Sequence, residues 1–170
     1  MSENRFVDNR DGTVNDSLTQ LMWKQNDSYL DLLRFVSYTA ALKYLVKQNE
    51  GSFAGYQDWR FPTKREAHSL FEIDKNLKDK YDMLVHLDSV FTVGCGHDTW
   101  TSNTRGKITA YVYSFSSGAG GHKEVDDILN SSVRLVRGEF DNSKAKIAHV
   151  PEVKDKITQG GVGDRHKLCV

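Results

Sequence analysis

Over the first 25 residues the apolar positions come in short clusters separated by turn-forming residues. Phe6-Val7 leads into Asn9-Arg10-Asp11-Gly12, and Thr13-Val14 leads out. Asp-Gly between β-forming residues predicts a hairpin, because glycine accepts the positive φ such turns need. A second turn near Asp16-Ser17 leads to Leu21-Met22-Trp23, an apolar run suited to a buried strand. Residues 26–36 fit either a strand or the start of a helix. From Ser37 onward, Tyr38, Ala41, Leu42, Leu45 and Val46 recur at helical spacing. They predict an amphipathic helix with Ser37 at its N-cap and Gly51 past its end.

A second helix is predicted at Thr63-Lys64-Arg65-Glu66, a capping box, with Ala67, Leu70 and Phe71 on its buried face. Residues 72–90 are polar with scattered apolar positions, and read as a long connection with one helical turn. Beyond them the pattern turns to β. The candidate strands are Phe91–Val93, Thr99–Thr101, Ile108–Tyr113 and Ser132–Arg137. In the third, Ala110, Val112 and Ser114 share one face, with Tyr111, Tyr113 and Phe115 on the other. Gly118-Ala119-Gly120-Gly121 is expected to be a turn.

Composition sets limits on these elements. A chain of 170 residues is one domain in size. Residues 141–170 have no aromatic residue, six Lys/Arg, four Asp/Glu and three glycines. Such a stretch cannot build its own core, so the expected division is a domain at 1–140 and an extended non-globular tail at 141–170. Lysine plus arginine equals aspartate plus glutamate at 23, a formal net charge of +0. With no overall positive field, a nucleic-acid partner is not expected. No run of about 18 apolar residues exists, so no membrane span is expected. The N-terminus has no apolar leader, which points to a cytoplasmic location. The two cysteines, Cys95 and Cys169, form no CxxC and no zinc spacing. Neither a metal nor a cofactor is therefore expected.

Five segments, in order, resemble the DUF1566 or Lcl C-terminal domain family. They are Arg5 to Asp16 followed by Leu21-Met22-Trp23; Tyr38-Thr39-Ala40-Ala41-Leu42; Gly55-Tyr56-Gln57-Asp58-Trp59-Arg60-Phe61-Pro62-Thr63-Lys64-Arg65-Glu66; Thr99-Trp100-Thr101-Ser102; and Val133 to Gly138. The resemblance covers about residues 5–138. It implies an α+β, compact C-type lectin-like domain with two helices and twisted, mostly antiparallel strands, related in fold to the formylglycine-generating enzyme. It also implies a binding module rather than an enzyme, and brings no catalytic residues with it. Gln20 stands where the family often has glycine, which implies a looser second hairpin.

The remaining candidates are weighed by chemistry. Asp8 to Gly12 fails the calcium-loop template, since Val7 would fill the first ligand position, and it reads as a turn. Cys95, His97 and Asp98 are too close in sequence to ligate one tetrahedral metal together. Trp23, Trp59 and Phe61 read as structural, and Asp58 and Arg60 as members of internal hydrogen bonds or an ion pair. Trp100, Ser102, Asn103, Arg105, Tyr111 and Tyr113 form the candidate ligand-binding set, because aromatic faces beside amide, hydroxyl and guanidinium groups suit a shallow ligand surface; Trp100 also fits a core role. In the tail, Lys144, Val150, Pro151, Val153, His166 and Cys169 are the candidate partner contacts, since a segment that orders on binding can wrap a partner. The expected function is a non-catalytic recognition module for a protein partner or larger complex. The alternative is a binder of sulfated glycans, with Arg105, Lys107, His122 and Lys123 as its basic patch. A third reading, an oxidase of the formylglycine-generating type, would rest on Cys95 and Cys169.

Overall fold

The protein is described by a computed structural model covering residues 3–153. Strands β1 (Phe6–Asp8), β2 (Thr13–Asp16) and β3 (Leu21–Lys24) form the antiparallel meander that the two turns predict. Gly12 supplies the positive φ of the first turn, at 89°. At the second turn Gln20 takes φ 65° and its side-chain amide donates to the carbonyl of Ser17. The four-pair register of β2 with β3 stays intact beyond it, so this hairpin is not loosened by the missing glycine.

The ambiguous segment contains a short helix, α1 (Ser28–Leu32), capped by the Asp27 carboxylate on the amide of Leu30. Helix α2 (Tyr38–Glu50) starts at Ser37 and stops at Gly51 as predicted. Its buried face differs from the predicted one. Ala41 and Tyr44 are buried, while Leu42 and Val46 lie in solvent. The Tyr44 hydroxyl has polar partners beneath the helix, and this turns the tyrosine inward where leucine and valine were expected. After a 3-10 turn at Phe53–Gly55, α3 (Lys64–Ser69) opens with both arms of its capping box in place. Residues 72–90 hold no helical turn. They hold a small hairpin, β4 (Leu77–Lys78) and β5 (Leu84–Val85).

The second sheet is built from β6 (Asp98–Arg105), β7 (Thr109–Ser114), β8 (Ala119–Glu124) and β9 (Ser131–Ser132), in the order β8-β7-β6-β9, with β6 and β9 parallel. β10 (Val136–Arg137) pairs with β3 and closes the first sheet. Two sequence expectations change here. Phe91–Val93 is not a strand. The turn spans residues 115–118 and takes only Gly118 from that run, while Ala119-Gly120-Gly121 opens β8. Gly120 is required there: a Cβ would stand 2.4 Å from the Val112 carbonyl and 2.5 Å from the Tyr111 ring. The predicted strand Ser132–Arg137 is divided between the two sheets, because Val133–Leu135 crosses from one to the other.

The second sheet separates two cores. Tyr111, Tyr113 and Phe115 pack with Trp23, Leu70 and Phe91, while Ala110 and Val112 pack with Trp59, Phe61 and Trp100. The alternation read from the sequence of β7 therefore survives, with both faces buried. Residues 141–153 lie against the domain rather than standing off it. Val150 is buried, Ile147 packs on the first core, and Gly120 donates to the carbonyl of Pro151 at 3.0 Å.

Candidate functional site

The six candidate ligand residues split into two groups. Trp100, Tyr111 and Tyr113 are fully buried, so they do not line an exposed surface. Trp100 Nε1 donates to the carbonyl of Val36 at 2.9 Å, and the Tyr113 hydroxyl meets His68 Nδ1 at 2.6 Å. Burial pushes both tyrosine phenols well above their ordinary value. A strand at the middle of a sheet covered on both sides has no solvent face, which the alternation of β7 alone cannot reveal. Ser102, Asn103 and Arg105 do stay at the surface, where the β6–β7 register shifts after Trp100. Asn103 accepts from the amide of Lys64 at 2.9 Å and borders a cleft of about 520 Å³ together with Arg60, Thr63, Arg65, Glu66 and Phe140. Arg105 lies at the hairpin tip, away from it. Of the four residues of the predicted basic patch, Lys123 is engaged by the carbonyl of Leu129 and by Ser131.

The motif around Trp59 is a clasp. Trp59 is buried, and its backbone exchanges two hydrogen bonds with the Asn49 side chain at the end of α2. Arg60 does not pair with Asp58. It forms a two-pronged ion pair with the buried Glu66, at 2.7 and 2.6 Å, and also donates to the carbonyl of Gly138. Asp58 pairs instead with Arg137, whose guanidinium lies 3.7 Å from the centre of the Tyr56 ring. The motif thus fastens α2, α3 and β10 together, and its charges are matched within the protein.

Among the tail candidates, Lys144 is exposed, Val150 is buried in the domain's own core, and Pro151 and Val153 lie beside β8. His166 and Cys169 lie outside the described residues. No group of three His, Cys, Asp or Glu able to hold a metal occurs among the described residues. Cys95 is fully buried, and burial pushes its thiol up to about 11, so little thiolate is present near neutrality. No helix among the described residues is long and apolar enough to cross a membrane.

Two features were not anticipated. The first is an aromatic surface. Tyr29, Phe35 and Tyr81 stack in a row, with ring centres 4.8 and 6.2 Å apart, and the Lys80 ammonium lies within 4.7–5.5 Å of all three. Tyr81 donates to Asn130. Leu33, whose amide donates to the carbonyl of Tyr29, and Leu129, next to the Tyr81 partner Asn130, are 75% and 67% exposed. Lys80-Tyr81 sits in the β4–β5 hairpin, which the sequence reading took for featureless connection. The second feature is a buried polar cluster under α2. Lys24 Nζ donates to Asp31, Tyr44 and Gln48 at 2.7, 2.8 and 2.8 Å. A lysine in the apolar run of β3 was the available signal, since lysine is almost never fully buried unless paired.

The arrangement is thus an α+β domain with a rigid clasp and an exposed aromatic face. Residues 12–137 match the Lcl C-terminal domain. That stretch is well over half of the chain, and the chain belongs to this family. Comparison with curated proteins and with solved structures gives no match.

Proposed function

We propose that the chain is a non-catalytic recognition module of C-type lectin-like fold that docks a protein partner through the Tyr29–Phe35–Tyr81 face. The observation that carries this reading is the ring row, in which Tyr81 is exposed and Tyr29 and Phe35 are half-buried, with exposed leucines beside it. A contiguous apolar surface rimmed by polar residues marks interaction sites, and tyrosine and its neighbours dominate the energetics of such contacts. Lys80 at the centre of the rings adds a cation that favours a partner segment carrying an acidic residue. The unreactive environment of Cys95 supports the non-catalytic part of the reading. Residues 141–153 serve the domain's own packing, so the docking surface lies on this face rather than on that segment.

The test is capture from the protein's own cells with the full chain and with Tyr81→Ser/Leu129→Ser, both exposed positions. A protein retained in stoichiometric amount by the native chain and lost by the variant is the expected result. Equal capture by both moves the interface elsewhere. The second reading, a glycan ligand, draws on the same observation, because sugar rings also stack on exposed tyrosine. A positive glycan array with no co-purifying protein would select it.

A further inference from the structure

Helix α1 and the turn that follows it also border a groove. Asp31, Leu32 and Arg34 form one wall of a groove of about 430 Å³, and Ala40, Lys43, Tyr44, Lys47 and Gln48 of α2 form the other. The charges lining it are unbalanced. Its one carboxylate, Asp31, is already paired with Lys24 Nζ at 2.7 Å and accepts from the Tyr44 hydroxyl at 2.5 Å. The side chains of Arg34, Lys43 and Lys47 have no hydrogen bond or ion pair with any described residue.

Lys43 and Lys47 are also four residues apart on one helix, the spacing at which like charges repel and cost helix stability. The acidic residue of α2 is Glu50, at its end. Glu50 lies three residues beyond Lys47 but forms no ion pair with it, and α2 holds no acid beside Lys43. The cations stand on the groove side of α2, whereas the other flank exposes Leu42 and Val46. Gln48 adds a directional donor. Its Oε1 accepts from Lys24 at 2.8 Å, which leaves Nε2 to donate into the groove. Leu32 and Ala40 supply a short apolar stretch of wall.

We infer that this groove binds a small, multiply charged organic anion of the phosphate-ester or polycarboxylate class. Arg34, Lys43 and Lys47 surround the anionic group, Gln48 Nε2 donates to one of its oxygens, and Leu32 and Ala40 receive its carbon skeleton. Charge-assisted bonds from arginine and lysine are the strong ones for such groups. This site is separate from the proposed protein-docking face, and neither reading depends on the other.

The experiment is titration calorimetry of the full chain with inorganic phosphate, glycerol 3-phosphate and citrate at low salt, with amide chemical shifts followed in parallel. Saturable binding of at least one organic probe, with shifts centred on residues 31–48, is expected. Lys43→Gln/Lys47→Gln should weaken it by roughly tenfold or more. That variant removes a like-charge repulsion together with a last-turn cation, small effects of opposite sign, so it should unfold close to the native temperature, which separates lost binding from lost folding. Arg10→Gln/Lys146→Gln removes the same charge from exposed sites outside the groove and should leave binding intact. The inference is overturned if no probe saturates, or if the two double variants weaken binding equally, since diffuse attraction to positive charge would then account for it.

Discussion

Lys24 and Arg134 are the two cations buried among the described residues, and they meet on one stretch of backbone. The Lys24 side chain runs under α2, while Arg134 Nη1 donates to the carbonyls of Lys24 and Gln25 from the other side. Their surroundings differ. The Lys24 ammonium has one acceptor for each of its three protons. Among the described residues Arg134 has acceptors for Nη1 alone. Nothing there accepts from its Nε or Nη2, and the Phe91 ring lies 4.8 Å from the guanidinium carbon. A buried charge is tolerable when its whole donor set is matched and expensive otherwise. Lysine can also shed its proton, and burial does hold the Lys24 value below the ordinary one, against the opposing effect of its hydrogen bond to Asp31. Arginine has no such escape. The two residues therefore make opposite statements about stability although both are buried cations.

The contrast is broken or upheld most directly by replacing each with methionine. Lys24→Met strands Asp31, Tyr44 and Gln48, and should cost about 3 kcal/mol, because removing one partner leaves the others uncompensated. Arg134→Met deletes a charge whose donors are half unmatched, and fills much of the same volume. The Gln25 carbonyl keeps a second donor, the amide of Thr92. Its cost should be about 1 kcal/mol or less. Urea unfolding of both variants decides the matter, and equal costs would remove the distinction drawn here.

Titration sharpens the same contrast. Because the folded Lys24 value is lowered, the unfolded chain holds more protons than the folded one between that value and the ordinary 10.5. Stability from this group therefore rises with pH across that window. The phenols of Tyr44, Tyr111 and Tyr113 act in the other direction. Burial raises all three, so their contribution is complete below the ordinary value of 10.0 and is lost as pH climbs above it. Denaturant midpoints from pH 8 to 11 should show the native chain gaining on Lys24→Met before the tyrosines pull both down. The gain is at most about 1.4 kcal/mol per pH unit for one proton. Arg134→Met removes a positive charge that helps to lower the Lys24 value, so its profile should rise less steeply than the native one across that window. A native profile parallel to that of Lys24→Met would show that Lys24 does not titrate differently in the folded state.

What could be read from the sequence follows from the range of the forces involved. Turns and caps are local. The Asp11-Gly12 turn, the Ser37 cap and the Thr63–Glu66 box all stand where their residues placed them. The ordered motifs carried the family as well. Burial is not local. Trp100, Tyr111 and Tyr113 looked like a ligand face because a strand pattern does not say what covers it. Tyr44 was passed over because its inward turn depends on Lys24, twenty residues away. The surfaces proposed here come from residues brought together across the chain, Tyr29 with Tyr81 and Arg34 with Lys47, and no spacing rule links them. The division at 140 followed composition, whereas Val150 finds its place in a core assembled by other elements.

The smallest expected effect tests whether completeness of partners matters apart from burial. Asp58 and Arg137 make two well-formed hydrogen bonds, at 2.7 and 3.1 Å, but the Asp58 side chain is 61% exposed. The Arg137 hydrogen bond holds the Asp58 carboxyl below its ordinary value, yet water screens both partners. Asp58→Ala should therefore cost no more than about 0.5 kcal/mol near neutral pH. Arg137 would keep its place over Tyr56 without the carboxylate, since the ring contact at 3.7 Å does not involve Asp58. Unfolding measured in low salt and again in 0.5 M salt, where the Debye length falls to roughly half its physiological value, should show the small difference shrinking further. A cost comparable to that of Lys24→Met, insensitive to salt, would mean that pair geometry outweighs desolvation in this fold, and the account of the two buried cations would fail with it.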